Sequence, residues 1–596
     1  MGAPKTADQS FLLFLYLFIM SDADAKTPLL GGGTTTTHHH HASTNTNMNT
    51  TTTTTTAAAT ATTPTNKPPV SRPKYKRRRS SFDASTYNSA GHSPAYVRSA
   101  ASSFHERLSL ADDPGLSLSK ILGLTICMAG VQFTWTVELS YGTPYLLSLN
   151  LSKEMTALVW LAGPLSGLLV QPLIGAFSDK CTSRFGKRRP FIVVAGLLTC
   201  ISMICVAYAR EIGYGIAYIT DQNDIENTSR TLAMLVAVAS FYFLDFTLNA
   251  VQAICRALIL DIPPLWQQEH ANAWSARMCN SAMVVGYFVG FVNLVELFPW
   301  LGDTQMKVFC VIGTIIFCIT LAITCITTHE KKLEIEENDD GPWYSTFVYI
   351  WRAFRFLPRP VQTLCNTQFF AWMGWFPFLF YSTQWVSELY FTTHEGNHGD
   401  WADGTRAGSF ALLCYSIVSV VAGVVIPALV ARYEPSLPWM STTNVYTASH
   451  LIVAAALLSA WFVKSVLGAT IVLATMGISW AIVLWVPFSL VGEYVSYDDE
   501  RRQRAQLEQA VATAATTTSA AESQQENDDF DAGMILGVHN MYIVFPQFVV
   551  AIMAAFIFAA TNASGDPSSG VASVLAFGGI MALIASAFSR FIVRVK

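Results

Sequence analysis

An all-helical membrane protein with twelve transmembrane spans is the fold class this sequence predicts, and three observations carry it. Of the 596 residues, 52% are hydrophobic and only 13% charged, whereas a soluble globular chain carries about 25% charged residues. From residue 118 onward, apolar blocks recur at about 20 residues, the length one helix needs to cross a bilayer's hydrocarbon core. A charged stretch, 328–362, divides those blocks into two sets of six. In lipid only helices and closed barrels satisfy their own backbone polar groups, and blocks this long are helices.

The chain divides accordingly. Residues 1–117 hold a threonine run (Thr50–Thr56), four consecutive histidines (His38–His41) and the basic cluster Arg72, Lys74, Lys76, Arg77, Arg78 and Arg79. Such a composition buries no core and is expected to be a disordered cytoplasmic tail. Two patterns inside it are set aside. Phe11–Met20 before Ala23-Asp24-Ala25 imitates a signal peptide, but cleavage would leave the basic cluster outside. Met1-Gly2 with Thr6 fits a myristoylation pattern only loosely. The first six-helix half is expected over 118–327, a cytoplasmic central loop over 328–362, and the second half over 363–596, with a long cytoplasmic loop at 491–533.

Composition also excludes function classes. A net charge of −4 offers no bulk attraction to nucleic acid. The 11 cysteines are scattered, many within apolar blocks, as small buried hydrophobes rather than a disulfide framework or metal site. No nucleophile–base pair, P-loop or metal cluster is present, so the reading is no enzyme, no metal and no cofactor.

Orientation follows from lysine and arginine placement. Lys180, Arg184, Lys187, Arg188 and Arg189 follow span 2, and Lys331, Lys332, Arg352, Arg355 and Arg359 lie in the central loop. Both sets fall on the side of the basic tail, which places both termini in the cytoplasm. The sequons at Asn150, Asn227 and Asn562 all land on the opposite side, as glycosylation requires; Asn49, in the tail, is the exception.

Ionisable groups inside spans are the functional signal, because a charge at mid-bilayer costs about 2.5–3.5 kcal/mol on insertion scales. Asp245 lies at the centre of span 4 and Glu138 in the outer part of span 1. Arg256 and Asp261 lie near the inner end of span 4. Asn249 and Gln252 follow Asp245 at helical spacing on one polar stripe, which suits either a lined pathway or interhelical hydrogen bonding. Span 7 carries Trp372, Trp375, Phe376, Pro377 and Phe378; aromatic faces suit the apolar C–H faces of sugar rings, or simply pack. The pairs Gly163…Gly167 and Gly286…Gly290 fit close helix packing.

The stretch Gly175-Ala-Phe-Ser-Asp179…Arg184-Phe-Gly186-Lys187-Arg188-Arg189-Pro190 resembles the signature loop of the major facilitator superfamily in its glycoside form. Trp160-Leu-Ala-Gly163-Pro164…Gln171-Pro172, Leu244-Asp245…Asn249…Gln252…Cys255-Arg256-Ala257-Leu258…Asp261, Trp375-Phe376-Pro377-Phe378…Trp385…Glu388…Tyr390 and Leu536-Gly537-Val538…Asn540…Pro546-Gln547 resemble spans 2, 4, 7 and 11 of plant sucrose carriers. Trp135-Thr-Val-Glu138…Tyr141…Thr143-Pro144-Tyr145 looks closer to the fungal and animal branches. The chain departs from the plant pattern at Ser387-Glu388, where those carriers have an Arg-Glu pair, at Tyr381 and Gln384, where they have acids, and at Ser152, where they have a histidine.

The resemblance implies a major facilitator fold, alternating access, and proton-coupled uptake of sucrose or a related α-glucoside such as maltose. The proton gradient is the driving force and the partners are a disaccharide, H+ and the bilayer, with no nucleic acid and a monomeric carrier. Asp245 maps onto the proton site, with Glu138 as the second acid in the same half. Arg256 is eleven residues from Asp245, about 16 Å along a helix, too far to be its direct partner in that helix. Asn249, Gln252, Trp372, Trp375, Glu388, Asn540 and Gln547 are the substrate-contact candidates. Asp179, Arg184, Lys187, Arg188, Arg189, Arg256 and Asp261 are the gating candidates, expected to work through ion pairs. A sugar sensor on a transporter fold and a proton-coupled monosaccharide carrier are the competing readings. The plasma membrane is the expected location, with a vacuolar or other internal membrane as the alternative.

Overall fold

Among the residues the computed structural model describes, twelve long helices run through the protein. They are α1 (Leu118–Ser148), α2 (Ala162–Asp179), α3 (Arg189–Ala207), α4 (Ile225–Asp261), α5 (Gln268–Phe291), α6 (Gln305–Thr327), α7 (Arg359–Thr393), α8 (Trp401–Tyr433), α9 (Thr442–Leu458), α10 (Val466–Ala515), α11 (Ala532–Ala563) and α12 (Gly570–Ser589). Short helices Lys153–Val159 and Ala209–Thr220 precede α2 and α4. The structure describes residues 115–179, 181–220, 224–264, 267–330, 357–393, 401–433, 436–515, 532–565 and 569–593, all within one unit, Asp113–Lys596. The threonine and histidine runs, the basic cluster of the tail and most of the central loop lie outside the described residues.

Ten of these helices are apolar and long enough to cross a membrane, which makes this an integral, multi-pass protein. The other two long helices, α5 and α7, are the polar ones. Their sequences carry residues such as Asn272, Arg277, Asn280, Gln368, Ser382, Thr383 and Gln384. Gln368, Ser382, Thr383 and Gln384 are buried, so the polarity of α7 points into the bundle, where neighbouring helices shield it from lipid. One boundary needs correcting. Span 10 was expected to end at 490, opening a loop at 491–533, but α10 continues unbroken to Ala515. The Glu/Arg/Gln/Ala-rich sequence there consists of good helix formers, and no lipid is needed to sustain it.

Two halves meet along three seams, and small residues mark two of them. Along α2 and α11, a Cβ at Gly163 would stand 3.3 Å from Oε1 of Gln547, and one at Gly167 3.3 Å from Val544. Along α5 and α8, a Cβ at Gly290 would stand 3.2 Å from Oγ of Ser409. There the Arg406 guanidinium donates to the Phe291 carbonyl at 3.0 Å. Along α1 and α7, Thr143 donates to the Phe380 carbonyl at 2.9 Å, and the ring of Trp160 stacks on Phe380 at 4.3 Å.

The two ends of the bundle differ. The sequon end carries Asn150, Asn227 and Asn562; the basic end carries Arg184–Arg189. At the sequon end the halves close on each other: Lys153 pairs with Glu388 at 2.6 Å, and Nδ2 of Asn562 donates to Glu154. Tyr141 and Tyr145 of α1 meet Trp401 of α8, with ring centroids 6.2 and 6.3 Å apart.

Candidate functional site

Two carboxyls occupy the middle of the first half. Glu138 on α1 and Asp245 on α4 are each 2% exposed, and the two carboxyls interact with each other. Two carboxylates offer only acceptors, so a hydrogen bond between them requires a proton on one. Oε2 of Glu138 and Oδ1 of Asp245 are buried without a partner. Oδ1 of Asp245 faces the α2–α11 seam, 3.9 Å from where a Cβ at Gly163 would stand. Gln547 of the other half approaches that same position. An amide from one half and a carboxyl from the other thus converge beside Gly163.

The rest of the α4 stripe does a different job. Nδ2 of Asn249 donates to Ser166 Oγ at 2.7 Å and to the Asp245 carbonyl at 2.9 Å, while Oδ1 accepts from Gln171 at 2.8 Å. Gln252 accepts from the Trp135 indole at 3.2 Å. The amide of Asn249 is thus engaged at both ends and helps fix the helix that presents Asp245, whereas Gln252 uses only its carbonyl oxygen.

In the second half, Trp372, Trp375, Trp480, Phe378 and Tyr415 form one aromatic cluster, with Trp375 and Trp480 rings 5.0 Å apart and nearly perpendicular. Trp375 was expected to line a cavity, but it is 0% exposed and offers no free face. Trp372, at 9%, stacks on Phe376 at 5.3 Å. Both indole N–H groups are buried and unpartnered. Glu388 makes an ion pair with Lys153 at 2.6 Å and accepts a hydrogen bond from Gln384 at 3.0 Å. Asn540 and Gln547, both half-buried on α11, keep side-chain amides free of hydrogen bonds within the described residues. Seven residues apart, they share one face of the helix.

At the basic end, ion pairs form between residues of different helices. Asp261 accepts from Lys187 at 3.0 Å and from Arg188 Nε at 2.9 Å, and Arg188 also donates to Ser178. Glu330, just beyond α6, was missed by the sequence reading. Its carboxylate accepts the backbone N–H groups of Arg188 at 3.0 Å and Arg189 at 3.2 Å, which are unsatisfied donors at the start of α3. An acid within three residues of a helix end, on the same side as a basic loop, was the available signal. Gly186 has φ +103°, and a Cβ there would run into Glu330. Arg184 stays exposed and stacks over Phe185, 5.0 Å from the ring centroid, so it does not join the clamp. Arg256 is exposed and carries no ion pair among the described residues. The side chain of Asp179, the last residue of α2, lies outside the described residues. The sequon residues Asn150, Asn227 and Asn562 are all exposed.

Comparison with known proteins places this architecture. The family model described as Major Facilitator Superfamily matches residues 121–519. The chain belongs to the major facilitator superfamily. It is therefore a membrane transporter rather than an enzyme. The "General alpha-glucoside permease" of Schizosaccharomyces pombe is 31% identical over 558 residues, covering 81% of this chain and 95% of the relative. "Sucrose transport protein SUT1" of Oryza sativa subsp. japonica is 29% identical over 487 residues, covering 78% and 87%. Among solved structures, a D-xylose–proton symporter superposes with a TM-score of 0.51 at 13% identity, covering 80% of this chain and 99% of that one. A bacterial homologue of the lysosomal transporter Spinster does so equally well, with 80% and 98% covered. At that identity these two structures establish the superfamily's fold.

Proposed function

We propose that this transporter is a proton-coupled symporter of sucrose or related α-glucosides such as maltose, working by alternating access. The observation that carries the reading is the Glu138–Asp245 carboxyl pair, buried in one half and facing the seam where Gln547 of the other half arrives. A proton held between two acids is one the protein can take up and release. The α-glucoside permease and the sucrose transport protein among its relatives supply the substrate class.

In this reading the sequon end faces outward, both termini are cytoplasmic, and the closed sequon end corresponds to the inward-facing part of the cycle. Asn150, Asn227 and Asn562 are the glycosylation sites and the plasma membrane is the location. Protonation of the pair from the outer side neutralises it and lowers the cost of carrying it through the occluded state. The free amides of Asn540 and Gln547 bind sugar hydroxyls from the second half, and Trp372, the less buried of the two indoles, offers a ring face to the sugar. A neutral Asp245 donates a hydrogen bond to the same sugar, so proton and sugar each favour the other's binding. The clamp of Lys187, Arg188 and Arg189 on Asp261 and Glu330 holds the basic ends of α2, α3, α4 and α6 as one body while the halves rock.

The test is uptake of a sugar panel in a yeast deficient in sugar transport, with external pH varied. Disaccharide accumulation should fall as external pH rises and collapse with a protonophore. Accumulation indifferent to both would remove proton coupling, and uptake of monosaccharides alone would replace the substrate class.

A further inference from the structure

The helix Lys153–Val159 sends two adjacent side chains of opposite sign to two different helices of the other half. Lys153 reaches Glu388 on α7 at 2.6 Å, with the two side chains 24% and 31% exposed. Glu154 accepts from Asn562 on α11. The helix is fixed at its start by Ser152, whose hydroxyl accepts the N–H of Met155 at 3.3 Å. Glu388 is held from its own side by Gln384, one helical turn back. Just below, Trp160 stacks on Phe380 and Thr143 bonds the Phe380 carbonyl.

We propose that this short helix is the latch that holds the sequon end shut, with Lys153–Glu388 as its ionic bolt and the Glu154–Asn562 hydrogen bond as its second catch. Three features of the geometry support it. Both contacts cross from one half to the other, so both must break whenever that end opens. Neither partner is deeply buried, so separated charges return to water at low cost, which a contact made and broken in each cycle requires. The two catches lie on α7 and α11, which flank the α1–α7 and α2–α11 seams, so one seven-residue helix controls both. Lys153 and Glu388 are then positioning residues, acting on the population of open and closed states rather than on sugar. Asn562 has a role in the latch beside its place in a sequon. The inference rests on the alternating-access reading, but not on the identity of the sugar or on proton coupling.

The experiment introduces Thr143→Cys, a buried position at the crossing contact, and measures its labelling by a membrane-impermeant thiol reagent applied to the sequon side, without sugar or pH gradient. The parent chain with its own cysteines is the background. Lys153→Glu and Glu388→Lys should each raise the labelling rate about fivefold, the upper range of one partly exposed ion pair. The double exchange K153E/E388K should return it to within about twofold of the starting rate. Unchanged labelling in the single variants, or a double exchange as open as either single, overturns the latch. Should the reversals not reach the membrane, Lys153→Gln and a salt series replace them. Labelling should then rise as salt goes towards about 1 M, where the screening length falls to about 3 Å, and the Lys153→Gln chain should be insensitive to salt. A salt response equal in both overturns it equally. Failed uptake of every sugar would leave this measurement standing, and a failed latch would leave proton symport standing.

Discussion

The two halves of this transporter bury different chemistry. Glu138, Arg188, Asp245 and Lys307 are the buried charged residues of the described structure, and all four belong to the first six helices. The second half buries Trp372, Trp375, Trp385, Phe378, Tyr381, Tyr415 and Tyr446, with two imidazoles, His450 and His539. Aromatic rings are buried in the first half too, Phe133, Tyr141, Trp160 and Phe309 among them, so the difference lies in the charges, which among the described residues only the first half buries. If the halves move as bodies, the proton travels with the first and the sugar-facing surface with the second. Coupling is then left to the seam at Gly163, where Asp245 of one half and Gln547 of the other approach the same point. Each substitution below is chosen to break or sharpen that division.

Asp245→Asn should have the largest effect. The amide keeps the shape and can still hydrogen-bond Glu138, but it carries no exchangeable proton. Sugar-driven proton currents should disappear and the accumulation ratio should fall to about one, the value of a passive carrier, while exchange of sugar across the membrane survives in part. Glu138→Gln leaves Asp245 able to titrate and should reduce accumulation less. Normal pH-dependent accumulation in Asp245→Asn with loss in Glu138→Gln would reverse the roles within the pair. Normal accumulation in both would end the assignment of coupling to the first half.

Trp375→Ala should act on stability rather than affinity. A fully buried indole between Trp480 and Phe378 leaves a cavity when removed, and such truncations cost about 3–5 kcal/mol. Thermal unfolding of the purified protein should shift down sharply, while molecules that remain folded keep their apparent sugar affinity. Trp372→Ala should show the opposite balance, with weaker sugar binding and a smaller stability loss. If Trp375→Ala alone weakens binding, the aromatic cluster reaches the sugar in a way its burial here argues against.

Gly186→Ala comes next. A left-handed φ of +103° strains any residue with a Cβ, at a cost of about 1–3 kcal/mol, and the added carbon would push Glu330 from the start of α3. Turnover should fall with little change in apparent sugar affinity, because the clamp at the basic end touches no part of the seam at Gly163. A change in affinity of the same size as the change in turnover would place the clamp in the sugar path.

The sequence made the bundle legible because lipid imposes long apolar helices, and twelve such blocks are hard to read otherwise. It also made Asp245 and Glu138 legible as acids where acids are expensive, and Lys187, Arg188 and Asp261 as charges on one side. Pairings across long separations were less visible. Glu388 reads as a polar residue on an aromatic helix until Lys153, 235 positions earlier, is seen beside it. Glu330 lies 142 residues from Arg188. Trp372 and Trp375 are three positions apart, and spacing places them on one face, yet only the position of Trp480 on α10 decides which of them is sealed. The orientation of a polar side chain on a buried stripe, as with Asn249, is likewise set by which neighbour offers the complementary atom.

Gln547→Leu is expected to have the smallest effect and bears most directly on the seam. The side chain has no hydrogen-bonding partner among the described residues, and Oε1 sits at the Gly163 position opposite Asp245, so its loss removes no internal contact. Leucine fills much of the same volume, and stability should change little. What disappears is a donor and acceptor for a sugar hydroxyl, a hydrogen bond worth about 0.5–1.5 kcal/mol net. Apparent affinity should therefore weaken by about two- to twelvefold, with proton-to-sugar stoichiometry unchanged, because the carboxyl pair is intact. Asn540→Leu, two turns away on the same face, should weaken affinity by a similar amount. The pair should be close to additive, since the two amides lie far enough apart to bind different hydroxyls. If Gln547→Leu instead uncouples proton from sugar at unchanged affinity, the amide is part of the proton site and not of the sugar surface. The division between the halves would then have to be redrawn to put one member of the coupling machinery on each side of Gly163.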